Sequence, residues 1–333
     1  VLADEGATPH RASNDDVDEF AVWIATSGPL DWTLARWQDR AMRVTPTEFY
    51  ASPGRHTDVT GFGIHVAGIR EAVDIVQGLL VYDLAAKDLY DVELTPVQAG
   101  AVHERNAAAL LELARTVDPR PLHQPRSPGD RIGGRCNTFT LLTVALLRAA
   151  GIPARSRCGF GAYFVPGYYE DHWVAEYWDA ETCRWLMVDA QLDETWQRLI
   201  GLSSGIPVAV GPEQFLTAGH AWQAWRAGRL DADRCGLTSI GEHGAFWIAG
   251  NLRLDLAALN KVEMLPWDIW GLGWEPNEEP PTAEVLAVFD TIAELTVDAD
   301  ERLDDLRDRY ETDPSFRMDG TVFSVLLGEQ QQV

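Results

Sequence analysis

One run constrains what this 333-residue chain can fold into more than any other: Cys136 to Ala150, CNTFTLLTVALLRAA. Nothing in it breaks a helix. Gly151 supplies a stop, and Pro153 forbids continuation. Phe139, Leu141, Leu142, Val144, Leu146 and Leu147 leave almost no polar face. A helix that is apolar nearly all round must be buried on most sides, so the run predicts a central helix. Its first turn carries Cys136, beside unpaired backbone N–H groups and the positive end of the helix dipole, surroundings that favour a thiolate. Gly133 and Gly134, directly before it, predict a tight backbone turn.

Three strands are expected next. Ala154 to Phe160 is short and partly alternating. His172 to Trp178 (HWVAEYW) and Arg184 to Asp189 (RWLMVD) are rich in aromatic and β-branched residues. The polar segment Asp179–Cys183 between them has hairpin length, so Asp189 should return close to His172. Period-two alternation puts His172, Val174 and Glu176 on one face. Taken singly, each candidate has an ordinary structural explanation: a small core thiol, a satisfied strand histidine, a strand-ending aspartate. Taken together and in order, they give a nucleophile, a base beside it and a third group to orient the base.

The stretch Cys136…LLRAAGIPAR…His172-Trp173-Val174…Asp189 resembles the transglutaminase-like superfamily in its bacterial members, most strongly over residues 100–200. The resemblance implies an α+β, papain-like fold with a central helix packed on an antiparallel sheet. It also implies catalytic roles: Cys136 as nucleophile, His172 as base and acid, Asp189 as the orienting group. The Gly-Gly-Arg-Cys opening is also similar to arylamine N-acetyltransferases, but their Glu two residues after the Cys is Thr138 here. The Gln that papain-like enzymes carry six residues before the Cys is Asp130 here. Calcium sites of the multidomain tissue enzymes have no counterpart.

The remainder reads as packing around that core. Residues 1–18 are polar and acidic and predict a flexible tail. Residues 19–94 predict a mostly helical region, with helix at Phe20–Trp37 and Ile69–Tyr90 and a loop-rich stretch between. Residues 95–200 form the expected core, opening on a helix at Pro96–Val117. Residues 201–333 predict a mostly helical C-terminal region, with helices at Phe215–Gly228 and Asn251–Leu265 and an acidic helix pair at Thr282–Arg309. Gly201–Gly205 fits G-x-S-x-G, but Pro207 and Val208-Ala209-Val210 follow where that motif needs a helix. His220, Cys235 and His243 fit no zinc spacing, and Asp298-Ala299-Asp300 lacks the Gly and Glu of a calcium loop. No metal or cofactor is expected.

Composition bounds the partners. A net charge of −24 argues against nucleic acid, which is held by Lys and Arg. Only Lys87 and Lys261 are lysines, a bias that reads as a high-GC genome. The four cysteines, Cys136, Cys158, Cys183 and Cys235, form no C-x-x-C; they read as thiols of a cytoplasmic protein, with Cys158–Cys183 the one pairing that neighbouring strands offer. No run is long enough to span a membrane and no signal peptide is visible. The expected chemistry is acyl transfer from an amide or thioester through an acyl-enzyme on Cys136. The acyl donor is a small molecule or peptide and the acceptor is water or an amine. Tyr163, Tyr169 and Trp173 are the expected substrate contacts, with Tyr168 a further loop aromatic. The competing readings are an inactive binding module that keeps the cleft and an arylamine N-acetyltransferase-like acyltransferase.

Overall fold

The computed structural model describes residues 44–202, 208–274 and 281–333. The expected tail at 1–18, the Phe20–Trp37 helix and Ser203 to Gly205 lie outside the described residues. Pro46–Val333 forms one unit. After short helical turns it runs through α1 (Ile69–Leu79), β1 (Leu80–Tyr82), α2 (Ala107–Val117), β2 (Ile132–Gly134) and α3 (Cys136–Ala149). Then come β3 (Ala154–Gly161), β4 (Tyr169–Asp179), β5 (Arg184–Asp189), α4 (Glu194–Leu199), β6 (Val208–Val210) and β7 (Phe215–Thr217). It continues with α5 (Ala218–Arg226), β8 (Cys235–Leu237), β9 (Glu242–His243), α6 (Ala245–Leu259) and β10 (Asp268–Ile269). The last elements are α7 (Ala283–Val297), α8 (Leu303–Thr312), β11 (Thr321–Ser324) and β12 (Glu329–Gln332).

The central helix is where the sequence places it. In α3 every residue from Asn137 to Arg148 is buried. At its start the Arg135 N–H donates to Thr138 Oγ1 at 3.2 Å. At its end Gly151 takes φ 73°, the Ile152 N–H reaches Leu147 O at 2.9 Å and the Gly151 N–H reaches Arg148 O at 3.0 Å. Those two reversed bonds satisfy carbonyls that a helix end leaves orphaned, and the left-handed position suits glycine. Arg148 is wholly buried, yet its guanidinium meets Glu263 Oε1 at 2.8 Å, Thr57 Oγ1 at 3.0 Å and Ala154 O at 2.8 Å.

The sheet is antiparallel in the order β6-β5-β4-β3-β7, and β8 adds to the start of β4 in parallel. This gives the expected α+β arrangement of a central helix on an antiparallel sheet. One side of α3 packs with α1 and α2 through Val76, Leu79, Leu110 and Leu142. A second core joins Phe160 and Trp173 to Trp222, Leu252 and Phe289 of α5, α6 and α7. At Gly159 a Cβ would lie 2.2 Å from Leu216 O, so the approach of β7 to β3 requires glycine there. Beyond β7, α6 takes over the edge of β3: Asp255 Oδ1 accepts the Cys158 N–H at 2.9 Å and the carboxylate chelates Arg157 at 3.1 and 2.9 Å.

Several expected elements differ. The Ile69–Tyr90 helix ends at Leu79, because Leu80–Tyr82 pairs in parallel with Ile132–Gly134. The paired glycines lie in that strand and make no turn. They are needed for closeness, since a Cβ on Gly133 would sit 3.0 Å from Gln98 O. The Pro96–Val117 helix is broken before Asn106, whose side chain caps α2 by accepting the Ala108 N–H at 2.9 Å. The helix expected at Phe215 starts three residues later, after β7, and that expected at Asn251 starts at Ala245. The four cysteines are free: Cys158 is buried in β3 and Cys183 exposed in the β4–β5 turn, so that pair forms no disulfide. Among the described residues no helix is long and apolar enough to cross a membrane.

The Asp255 carboxylate is fully buried, so removing it leaves the Cys158 N–H unpaired and takes the chelating partner from the buried Arg157, which keeps only Glu176 as a counter-charge. Asp255→Ala should destabilise by about 3–5 kcal/mol and Asp255→Asn by less, read from urea unfolding midpoints.

Candidate active site

The hairpin register assembles the site. Ala175 lies opposite Val188. The next pair sets Asp189 opposite Val174, making it the diagonal, same-face neighbour of His172. The contact follows: His172 Nε2 lies 2.7 Å from Asp189 Oδ2, with the two residues 3% and 2% exposed. That leaves Nδ1 free of the carboxylate, and Cys136 is close enough to the imidazole to act on its charge. Cys136 itself is half-buried at the start of α3. The structure thus brings the three expected catalytic residues together.

Asp189 is held from two more directions. Tyr163 donates its hydroxyl to Oδ2 at 2.7 Å, and the Gln191 N–H donates to Oδ1 at 3.0 Å. Burial is the largest influence on His172 and opposes a charged ring. The Asp189 carboxylate, its hydrogen bond and the Cys136 contact together outweigh it and hold the imidazole up to about 10. On the same strand Asp171 is pushed up to about 6 by burial, against the Asn251 amide that donates to it at 2.7 Å.

Aromatic side chains surround the imidazole. The Phe164 ring meets His172 edge-on at 4.8 Å and Trp196 at 6.1 Å, and Trp196 meets Tyr82 at 5.5 Å. Burial pushes the Tyr82 phenol up, and its electrostatic neighbours include Cys136. The Trp196 Nε1–H is buried with no partner among the described residues. Sequence reasoning missed Phe164, Trp196, Tyr82 and Gln191. Of these only Gln191 left a signal, because a strand-ending Asp commonly accepts the N–H two residues on.

The expected substrate contacts fare differently. Tyr163 is in the site, but bonded to Asp189. Tyr169 starts β4 opposite Cys235, its ring 5.9 Å from the Arg234 guanidinium. Trp173 is a correction: it is 1% exposed in the core, because alternation turns it to the face opposite His172. Tyr168 is half-buried in the same connection. Thr138 serves the helix start, and Asp130 accepts the Ser127 hydroxyl at 2.6 Å in an exposed turn. Among the described residues no group of three or more His, Cys, Asp and Glu could hold a metal ion. His220 pairs with Thr217 Oγ1 at 2.7 Å, and His243 lies 3.6 Å from Asp233.

The raised His172 gives a pH signature. Its folded value lies above the ordinary 6.5, so its contribution to stability is full below about 6.5 and is lost as pH rises through about 10. The difference in urea midpoint between the native protein and His172→Gln should therefore shrink steadily over that window.

Residues 114–190 match the family model of the transglutaminase-like superfamily, and the match contains Cys136, His172 and Asp189. No curated protein matches the chain. Among solved structures, a crystal structure of red sea bream transglutaminase aligns at 15% identity with a TM-score of 0.27. The alignment covers 43% of this chain and 23% of that one, so this chain spans less than a quarter of that relative. The central helix, the β4–β5 hairpin and the buried Asp189 carboxylate thus fall within the stretch that is similar to the transglutaminase-like superfamily.

Proposed function

We propose that the protein is a cysteine-dependent acyl-transfer enzyme with Cys136 as nucleophile, His172 as general base and acid, and Asp189 as the orienting carboxylate. One observation carries the reading: a buried imidazole is held between a carboxylate at 2.7 Å and a half-buried thiol in the first turn of a central helix. The Cys136 thiolate attacks an amide or thioester carbonyl, forming the S–C bond as the C–N or C–S bond breaks. The imidazolium gives its proton to the departing amine or thiol. The neutral imidazole then takes a proton from water or an amine, which attacks the acyl-enzyme and frees Cys136. Asp189 fixes the ring tautomer and steadies its cation throughout.

The acyl donor in this reading is a small molecule or a peptide, and a cytoplasmic setting accords with four free thiols. The remaining thiols do not compete. Burial pushes Cys158 well above its ordinary range and Cys235 up to about 12, while Cys183 sits exposed in a turn. Cys183 therefore serves as an internal reference. Iodoacetamide labelling at several pH values, mapped to each cysteine, should show Cys136 reacting at least about tenfold faster than Cys183 near neutrality. His172→Ala should abolish that advantage. Equal rates at Cys136 and Cys183 in the native protein would remove the nucleophile from this account.

A further inference from the structure

The connection between β3 and β4, residues 162–168, carries two aromatic residues onto the site. Phe164 lies against the His172 ring, and Gly161 leaves room for it, since a Cβ there would sit 3.0 Å from the Phe164 ring. Tyr163 packs with Val174, Met187, Val210 and Phe215 and sends its hydroxyl to Asp189. Burial and the Asp189 charge both push the phenol well above its ordinary range, so it stays a neutral donor. With its ring in the apolar cluster and its hydroxyl committed, Tyr163 has little left to offer a substrate.

We propose that Tyr163 is a positioning residue, whose hydroxyl shares Asp189 Oδ2 with His172 and so sets the aim and charge of the carboxylate on which the imidazole rests. This rests on the acyl-transfer reading and deepens it. The geometry is over-determined: Gln191 N–H fixes Oδ1 at 3.0 Å, while Tyr163 and His172 each hold Oδ2 at 2.7 Å. Two donors on one oxygen divide its negative charge. With the phenol gone, the full charge falls on the imidazole and the carboxylate has one restraint fewer. The titratable groups around His172 are Asp189 from β5, Cys136 from α3, Tyr163 from the connection and Asp171 from its own strand.

The test is a histidine-ring NMR titration of the native protein, Tyr163→Phe and Tyr168→Phe, with Cys136 alkylation followed separately. Tyr163→Phe should raise the His172 midpoint by about half a pH unit or more, and Tyr168→Phe, the same change in the same connection, should leave it in place. An unchanged midpoint in Tyr163→Phe, or an equal shift in both variants, overturns the proposal. A second measurement covers the case in which Tyr163→Phe does not fold. In Asp189→Asn the Tyr163 phenol, followed by its ring carbon shift, should titrate at lower pH than in the native protein; an unmoved phenol overturns the proposal. The NMR midpoints require no turnover. An inert Cys136 with a shifted His172 would sink the acyl-transfer reading and leave the Tyr163–Asp189–His172 coupling standing.

Discussion

A carboxylate at 2% exposure, with three donors aimed at its two oxygens, is the constraint on which the rest of the site depends. A charge so far from water survives only if its lone pairs are filled. At Asp189 the fillers come from three separate places: β4, the β3–β4 connection and the turn after β5. The hairpin register brings the first, the chain length of the connection brings the second, and an Asp-turn brings the third. Once the carboxylate is fixed, His172 has no freedom of tautomer, because Nε2 must donate to it and Nδ1 is left for the thiol. The geometry of the pair is therefore set by strand pairing.

A different solution holds the same face of the sheet farther along β3 and β4. Arg155 and Arg157 share Glu176 at 2.5 and 3.2 Å, Arg155 reaches Asp300 at 2.5 Å, and Arg157 reaches Asp255 at 2.9 Å. The Arg155 guanidinium also lies 4.2 Å from the Trp185 ring centroid and 5.1 Å from that of Tyr50. A planar, forked cation can chelate a carboxylate and stack on an indole at once, which an ammonium cannot. The scarcity of lysine, read from sequence as a genomic bias, thus acquires a structural use at these positions. Part of the acidic excess serves the same network, since Glu176 and Asp255 are core residues and not a solvated face.

What the sequence made legible was whatever its local pattern determines. The α3 run, its Gly151 stop and the order of Cys136, His172 and Asp189 needed no knowledge of the remaining chain. What it hid depends on distant partners. Leu80–Tyr82 continues a helical apolar pattern and becomes strand because Ile132–Gly134 pairs with it. β6 and β7 have three residues each, too few for a period to show. The Trp173 error has another origin: alternation from His172 already pointed it away from the site, and an aromatic beside an expected catalytic residue was given too much weight. Tyr163 was found as an aromatic of the right loop, but its bond to Asp189 depends on how that loop folds back, which no spacing encodes.

The three residues differ in exposure. Cys136 is half-buried, whereas His172 and Asp189 lie beneath Phe164 and Tyr163. Excluding water from the base side strengthens the Asp189–His172 interaction, because a charged hydrogen bond is worth more where the local dielectric is low. The thiol is less buried, and in the acyl-transfer reading proposed above a carbonyl approaches from its side. In that reading the acceptor comes from the same side, since Phe164 and Tyr163 cover the imidazole. The site thus separates a buried, rigidly held imidazole and carboxylate from a half-buried thiol, and the division falls between the strand hairpin and the start of α3.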